Sequence, residues 1–289
     1  MQFHASVDAT GALESGASDA LVPWWSFSKT LIAALALCLA EQGRLDLDAV
    51  MAGKPYTARQ LLQNRSGVPD YGGMAEYHQA VDRDAAPWAD AELLSRVRAD
   101  ALLFTPDTGW EYSNVGYLIL RRHLEAVTGK GLADLLHEIV LAPLGLSARL
   151  ARTRADMAAT VFGRGRSYHP GWVYHGCVVG PVCEAARALH AIMTGAVLTP
   201  AARAALVDAC ALTVDTSGRP WRAPGYGLGV MVDRKLGVIG HSAGGPGSVG
   251  AVYHALATGR TAAVFSDETR EGACETRALD MLGLEGQVY

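Results

Sequence analysis

Two residues that can act together as nucleophile and base stand one helical turn apart near the start of the chain. Ser26 and Lys29 are three residues apart in Trp24–Thr30, just before an apolar run. This spacing places both side chains on one face of a helix. A lysine amine can take the serine proton when burial lowers its pKa, and the neighbouring aromatic residues could supply that burial. The pair is therefore a candidate nucleophile and base; a helix-capping serine beside a solvated lysine is the alternative, because so short a motif matches freely.

A second pair, Tyr112 and Asn114, precedes another apolar helical stretch. Because one residue separates them in an extended loop, their side chains would point the same way. A tyrosine hydroxyl can relay a proton, and an asparagine amide can both donate and accept hydrogen bonds. The alternative interpretation is a capping asparagine beside a packed tyrosine, and the pair by itself favours that alternative.

The third candidate segment, Gly240–Gly247, follows a short strand-like stretch and has two interpretations. The pattern Gly-x-Ser-x-Gly around Ser242 matches the nucleophile elbow of the α/β-hydrolases. That fold needs an acid and then a histidine after the nucleophile, whereas only His254 follows and no carboxylate lies between them. The other interpretation, a dinucleotide-binding fingerprint at Gly245-x-Gly247-x-x-Gly250, lacks room for the βαβ unit that such a fingerprint requires.

Apolar periodicity and capping signals predict the elements that must position these residues. Helices are expected at 29–42, 115–127, 132–141 and 271–282, and a short helix is expected to open with the capping box at 57–60 and to end before Asn64. A short hairpin is expected over 2–15, and strands at 226–232, 236–241, 249–256 and 261–266. Residues 150–182 receive no assignment.

Both ends of the chain are therefore predicted to be β-rich and the middle helical. We expect an α+β fold in which an antiparallel sheet, built from both chain ends and flanked by helices, receives a helical insertion domain. The expected division is a discontinuous α/β sheet domain, 1–44 and 223–289, and a helical domain, 45–222. An active site is expected at the seam between them.

The composition excludes several function classes. The chain has 289 residues, of which 50% are hydrophobic and 19% charged, with a net charge of −4. A globular chain without a basic block is not expected to bind nucleic acid. The longest apolar run, residues 31–40, is too short for a membrane span, and no signal peptide is visible. We expect a cytoplasmic location, with export of a processed form left open.

Cysteine and histidine spacing gives no support for a metal site or a disulfide framework. The five cysteines include no C-x-x-C pair, and the nine histidines show no paired metal-ligand spacing. We predict no metal and no cofactor. The expected partner is a small ester, amide or peptide substrate, and the oligomeric state is left open.

Taken in order, the three segments resemble the motifs of the penicillin-recognising serine hydrolases. Ser-x-x-Lys begins at 26, Tyr-x-Asn at 112, and a His-Ser strand at 241. The class C β-lactamase-related branch is the most similar, with its D-alanyl-D-alanine carboxypeptidases, D-aminopeptidases and family VIII esterases. Leu61–Tyr71 and Tyr226–Gly229 match the flanking pattern. The resemblance covers about residues 20–255, least clearly 150–220, and implies a β-lactamase/transpeptidase-like fold.

The resemblance also implies catalytic roles. Ser26 would be the acylated nucleophile and Lys29 its general base or proton relay. Tyr112 would pass the proton to the leaving group and later activate water. Asn114 would hold the acyl side of the substrate.

The third motif carries the implied binding residues and two departures from the family pattern. His241 and Ser242 would line the third wall of the cleft, and the backbone N–H groups of Ser26 and Gly244 would form the oxyanion hole. His241 stands where true β-lactamases have a lysine, which removes a permanent charge that would hold a substrate carboxylate. Ala243 stands at a usual glycine and is expected to place a methyl group against the substrate.

We therefore predict a serine hydrolase that cleaves an ester or amide through an acyl-enzyme on Ser26. The His241 departure favours an esterase, D-amino acid amidase or peptidase over a β-lactamase. One alternative is a catalytically idle relative that keeps the cleft for binding, suggested by Ala243, by the little sheet predicted before Ser26 and by the unassigned stretch 150–182. The other, less favoured, is an α/β-hydrolase with Ser242 as its nucleophile.

Overall fold

The computed structural model describes residues 1–14 and 16–284. The helices are α1 Ser28–Glu41, α2 Ala58–Leu62, α3 Ala75–Asp82, α4 Asp90–Arg96, α5 Asn114–Thr128, α6 Leu132–Leu136, α7 Arg154–Ala158, α8 Gly163–Ser167, α9 Val182–Thr194, α10 Pro200–Val207 and α11 Glu271–Met281. The strands are β1 Gln2–Val7, β2 Leu21–Pro23, β3 Arg149–Leu150, β4 Val178–Pro181, β5 Cys210–Ala211, β6 Pro224–Tyr226, β7 Met231–Asp233, β8 Val238–Gly245, β9 Ser248–Ala255 and β10 Thr261–Ser266.

The main sheet has seven strands in the order β1-β10-β9-β8-β7-β6-β5, and neighbouring strands are antiparallel. The first strand of the chain pairs with the last, in register from Gln2 opposite Ser266 to Val7 opposite Thr261. A second, three-stranded sheet has the order β2-β4-β3. The predicted sheet from both chain ends is confirmed, while the boundaries at 44 and 222 stay a prediction.

The helix predictions around the first two motifs agree with the structure. Helix α1 is apolar on every side and is buried from Ser28 through Leu39, as expected for a central helix packed on several neighbours. It ends before Gly43, which adopts a left-handed φ of 67°. The capping box at Thr57 opens α2, and the Ser113 side chain caps α5. Because α1 is enclosed, a side chain in its first turn lies inside the molecule.

Two strand predictions are wrong in detail. The single strand expected over 226–232 is interrupted by a turn, in which Gly229 has a φ of 68° and a Cβ on Gly227 would lie 2.3 Å from the Leu206 carbonyl oxygen. Alternating residues predict a strand there, but tertiary crowding imposes the break. The hairpin expected over 2–15 reduces to a turn closed by one bridge, Val7 to Leu13; Ser15 lies outside the described residues.

The unassigned stretch 150–182 forms α7, α8, a 3₁₀ turn at Pro170–Trp172 and β4. Its short elements and glycines explain the lack of a periodic pattern. In the described part of the chain, no helix combines the length and the apolar character that crossing a bilayer requires.

The edge of β8 opens on a cavity. Pairing of β8 with β7 ends at Gly240, whereas its pairing with β9 continues to Gly245. Residues 241–245 therefore have a strand on one side, and the cavity lies at their other edge. Its volume is about 480 Å³, and residues from the turn before α1, the start of α5 and β8 line it.

Candidate active site

The backbone before α1 places Ser26 at the cavity. Ser26 lies in a 3₁₀ turn, Trp25–Phe27, that leads directly into α1. Trp25 has a φ of 41°, a left-handed conformation that a bulky residue adopts only when its surroundings hold it there. Its indole Nε1 donates to Ser248 Oγ at 2.8 Å, and a Cβ on Gly245 would lie 2.4 Å from the indole ring. The hairpin of β8 and β9 thus fixes the turn that carries Ser26.

Lys29 lies beside Ser26 and is fully buried. Its Nζ is 3.2 Å from Ser26 Oγ, 2.7 Å from Asn114 Oδ1 and 3.3 Å from His175 Nε2. It also lies 4.8 Å from the centre of the Tyr112 ring. The structure therefore brings together the three groups on which the sequence prediction depended, and it adds a histidine.

The environment of Lys29 lowers the pKa of its amine. Burial is the main cause and brings the pKa from the ordinary 10.5 to about 7, while the carboxylates of Asp70 and Glu271 act in the opposite direction. A large share of the molecules therefore carries a neutral amine near neutral pH. This is the form that can accept a proton from Ser26.

Tyr112 is buried at the same point and lines the cavity together with Ser26. Burial and the neighbouring Tyr226 raise the pKa of Tyr112 well above its ordinary value of 10, so the side chain stays a neutral phenol. A phenol in this position can donate its proton while it accepts another.

Asn114 is the first residue of α5, and Asp70 holds its amide. The Asn114 backbone N–H donates to Asp70 Oδ1 at 2.7 Å, and its side-chain Nδ2 donates to Asp70 Oδ2 at 3.2 Å. The amide oxygen is consequently directed at Lys29. Asn114 also lines the cavity, so its predicted role toward substrate stays a prediction.

His241 lies on the α1 face of β8, where it is almost completely buried. Its Nε2 is 3.0 Å from the Tyr226 hydroxyl, and its Nδ1 is 2.6 Å from the Ser242 carbonyl oxygen. Burial, with a smaller contribution from Lys29, lowers the pKa of His241 to about 3. The imidazole is therefore neutral at physiological pH and provides no positive charge to the cleft.

Ser242 points to the opposite face of β8, toward α11. Its hydroxyl is 2.7 Å from Arg219 Nη2 and 3.2 Å from the Tyr253 hydroxyl, and it donates to Glu275. β8 continues through a tight turn into β9, so the strand–turn–helix of a nucleophile elbow does not form. The α/β-hydrolase alternative is therefore wrong. The role of Ser242 in lining the cavity for substrate stays a prediction.

Gly244 and Ala243 differ in what they face. Gly244 lines the cavity, and a Cβ there would lie 2.3 Å from Glu271 Oε1. Its role as an oxyanion donor together with Ser26 stays a prediction. Ala243 is completely buried in the hydrophobic core. The expectation that its methyl group faces the substrate is wrong, because Ala243 is enclosed by core side chains and does not line the cavity.

The Beta-lactamase family model matches residues 7–284. The chain belongs to this family. Among curated relatives, Penicillin-binding protein 4* of Bacillus subtilis (strain 168) is 34% identical over 134 residues, 42% of this chain and 28% of the relative. D-aminopeptidase of Brucella canis is 33% identical over 132 residues, 43% of this chain and 25% of the relative. This chain thus matches about a quarter of the length of these two relatives.

Solved structures show the same fold. The D-stereospecific amidohydrolase from Streptomyces sp. superposes with a TM-score of 0.79 at 20% identity, covering 99% of this chain and 94% of the other. The D-amino acid amidase from Ochrobactrum anthropi SV3, in complex with L-phenylalanine, gives 0.78 at 19%, covering 98% and 92%. The predicted family and the β-lactamase-like fold are confirmed.

Sequence reasoning missed four residues of this β-lactamase-family site. His175 contacts Lys29 from the unassigned stretch, where no periodic signal marks it. Asp70 lies inside the recognised flanking stretch but received no role. Arg219 and Glu271, 3.3 Å apart, line the cavity on its α11 side. An acidic residue in the first turn of a predicted helix is common enough that Glu271 gave no signal of its own.

Proposed function

We propose that this chain is a serine hydrolase that cleaves an ester or amide through an acyl-enzyme on Ser26. The observation that carries the proposal is the 3.2 Å contact between the Ser26 hydroxyl and a fully buried Lys29 amine. A buried lysine is costly to maintain, and outside catalysis a helix start gains nothing from one. Its position at a cavity, next to a serine on a strained turn, is typical of a nucleophile and its base.

The proposed reaction begins with transfer of the Ser26 proton to the neutral Lys29 amine as Oγ attacks the substrate carbonyl. The backbone N–H groups of Ser26 and Gly244 stabilise the oxyanion, a contribution of about 3 kcal/mol for each donor in measured hydrolases. Tyr112 then donates its proton to the leaving group and regains one from Lys29. Water enters, and the same groups act in reverse to release the acid product.

We infer that the substrate is neutral or positively charged where it meets β8. His241 is neutral, and Arg219 is engaged by Glu275, so neither offers a free positive charge to a substrate carboxylate. Glu271 adds a carboxylate to the same side of the cavity. An amide, ester or peptide therefore suits the cleft better than a carboxylate-bearing β-lactam, and the relatives named D-aminopeptidase agree with this preference. A small molecule as partner and a cytoplasmic location stay part of the proposal.

A fluorophosphonate probe tests the nucleophile. After incubation and proteolysis, mass spectrometry should place the adduct on the peptide that contains Ser26, and Ser26→Ala should remain unlabelled. Ser242→Ala is the matched control and should be labelled like the wild type. An adduct on any other serine, or unchanged ester hydrolysis by Ser26→Ala, contradicts the proposal.

A substrate panel then tests the charge preference. A nitrophenyl ester, a D-alanyl amide and a cephalosporin should be compared at equal concentrations, with turnover expected for the first two in preference to the third. Faster turnover of the cephalosporin would overturn the preference without affecting the assignment of Ser26.

The features that suggested a catalytically idle protein do not support it here. Ala243 packs in the core, away from the cleft. The stretch 150–182 contributes Tyr168, Val173 and His175 to the wall of the cavity, which stays open. The serine, the amine and the phenol all lie in contact, so catalysis is the better-supported proposal.

A further inference from the structure

The Lys29 amine has three polar neighbours, and their number matters for catalysis. A protonated amine has three N–H donors, whereas a neutral amine has two N–H donors and one lone pair. Ser26 Oγ, Asn114 Oδ1 and His175 Nε2 lie at 3.2, 2.7 and 3.3 Å from Nζ. A neutral amine that gives its two N–H groups to two of these neighbours must turn its lone pair toward the third.

We propose that His175 is a positioning residue that orients the neutral Lys29 amine for its reaction with Ser26. His175 Nε2 accepts one N–H of the amine, and Asn114 Oδ1 accepts the other. The lone pair is then directed at the Ser26 hydroxyl, from which it can take the proton. The inference rests on the proposed function, since it assigns to Lys29 the role of base.

His175 is suited to accept a hydrogen bond at all working pH values. It lies on the loop before β4 and is 3% exposed. Burial and the charge of Lys29 lower the pKa of His175 well below its ordinary value, so the ring is neutral and one nitrogen is free to accept. The backbone of Trp25 favours a proton on the ring, although Nδ1 makes no hydrogen bond of normal geometry. With the proton on Nδ1, Nε2 is the acceptor.

The proton balance gives His175 no part in the transfer itself. The Ser26 O–H bond breaks, an N–H bond forms on Lys29, and the oxygen electron pair forms the new bond to the carbonyl carbon. The resulting ammonium donates to Asn114, to His175 and, with its third N–H, toward Tyr112 or the departing group. His175 keeps the same proton on Nδ1 throughout, so it differs from a general base.

Other charged or titratable groups surround the two residues and must be kept constant in the test. They act on Lys29 or His175 from the neighbouring loops, α5, β8 and α11: Asp70, Tyr112, Tyr117, Arg121, Cys177, His241 and Glu271. None of these groups is changed in a variant at position 175, and the substituted side chain should add no charge of its own. The variants should therefore carry neutral side chains.

The experiment compares His175→Gln with His175→Leu. Glutamine keeps an acceptor oxygen, and leucine has none. The rate of Ser26 acylation by a fluorophosphonate should fall by about 100-fold in the leucine variant, because a misdirected lone pair loses the benefit of orientation. The glutamine variant should stay within about fivefold of the wild type, since it replaces one neutral hydrogen bond with another.

The pH profile of acylation separates positioning from simple packing. Loss of the acceptor destabilises the protonated amine, so the acid limb should move to lower pH in His175→Leu and stay in place in His175→Gln. His190→Leu, at a buried histidine on α9 that contacts Thr261 of β10, is the matched control. It should lower the melting temperature without moving the acid limb.

Each result bears on the proposal. Equal slowing of the two His175 variants, or wild-type rates and an unmoved acid limb in His175→Leu, overturns it. If the leucine variant does not fold, the glutamine variant still decides, because a folded His175→Gln that is 100-fold slower contradicts the proposal. Labelling of the wild type with no effect at His175 leaves the proposed function intact, whereas an unlabelled wild type removes both.

Discussion

The two faces of β8 carry two buried polar clusters of opposite character. On the α1 face, His241 stands near Lys29 and Tyr112, and burial shifts the pKa of each toward its neutral form. On the α11 face, Ser242 joins Arg219 and Glu275, whose charges are paired. The adjacent residues His241 and Ser242 of β8 thus belong to clusters of different charge.

This difference in charge favours the α1-face cluster as the reactive one and the α11-face cluster as a structural one. Arg219 lowers the pKa of Glu275, and the carboxylate also accepts hydrogen bonds from Tyr253 and Trp221. Arg219 and Glu275 therefore both stay charged, and the Glu275 carboxylate has several hydrogen-bond donors. Among the residues that the structure describes, no carboxylate contacts Lys29, and the pKa of its amine, about 7, allows the proton to move near neutral pH. The groups that we propose to exchange protons are kept uncharged by burial, and the groups of the other cluster are kept charged by their partners.

Lys29→Met is the strongest test of this contrast. Acylation of Ser26 should fall by about 10⁴-fold or more, as expected when a nucleophile loses its base. The variant should nevertheless be more stable at pH 6, by about 2–4 kcal/mol, because the wild type must bury a charge there.

The stability advantage of Lys29→Met should shrink as the pH rises. The pKa of Lys29 is about 7 in the folded protein and 10.5 as its ordinary value, so the unfolded chain binds more protons between these values. Wild-type stability therefore gains with pH across this window, relative to the methionine variant. Urea unfolding at pH 6, 8 and 10 measures the trend; a constant difference would contradict it.

The pH dependence of kcat/KM should report the amine directly. Below pH 7 the rate should fall about tenfold for each pH unit, so that pH 5 gives roughly one hundredth of the plateau. His241, with its pKa of about 3, should add no second limb between pH 5 and 9. Initial rates with a nitrophenyl ester measure the profile, and a flat line across this range would exclude Lys29 as the base.

Glu275→Gln tests the supporting cluster. The substitution keeps the shape but leaves Arg219 without its buried partner, and should reduce the free energy of unfolding by about 2–3 kcal/mol, since Arg219 is partly exposed. Acylation of Ser26 in the folded variant should change little. A loss of activity as large as that of Lys29→Met, with stability intact, would reverse the roles assigned to the two faces.

Ala243→Gly should have the smallest effect. Loss of a buried methyl group and of strand rigidity should cost about 1–2 kcal/mol of stability. Because the methyl group faces the core, kcat/KM for esters of small and bulky acids should keep the same ratio as in the wild type. A selective gain for the bulky acid would return Ala243 to the substrate side.

Short, contiguous patterns made part of this site predictable. Ser26 and Lys29 share one helical turn, and Tyr112 and Asn114 share one loop, so their spacing alone indicates a common direction. Periodicity likewise gave α1 and α5 to within a residue or two, because long apolar helices have clear patterns and caps.

The rest depended on contacts between distant segments. His175 reaches Lys29 across 146 residues from a loop without periodicity. The strand breaks after Tyr226 because Gly227 lies against the backbone of α10 at Leu206. No local sequence pattern contains this contact. Ala243 occupies a motif position, and only the packing of the folded chain shows that its methyl group is buried in the core and does not line the cavity.

The left-handed backbone at Trp25 has a mechanical consequence. Such a conformation is unfavourable by about 1–3 kcal/mol for a bulky residue, so the turn would relax if the indole were released. The indole is anchored on Ser248 and against Gly245, at the tip of the hairpin that also carries Gly244. The two backbone amides assigned to the oxyanion are therefore coupled through one aromatic ring, and a displacement of the hairpin tip would shift both together.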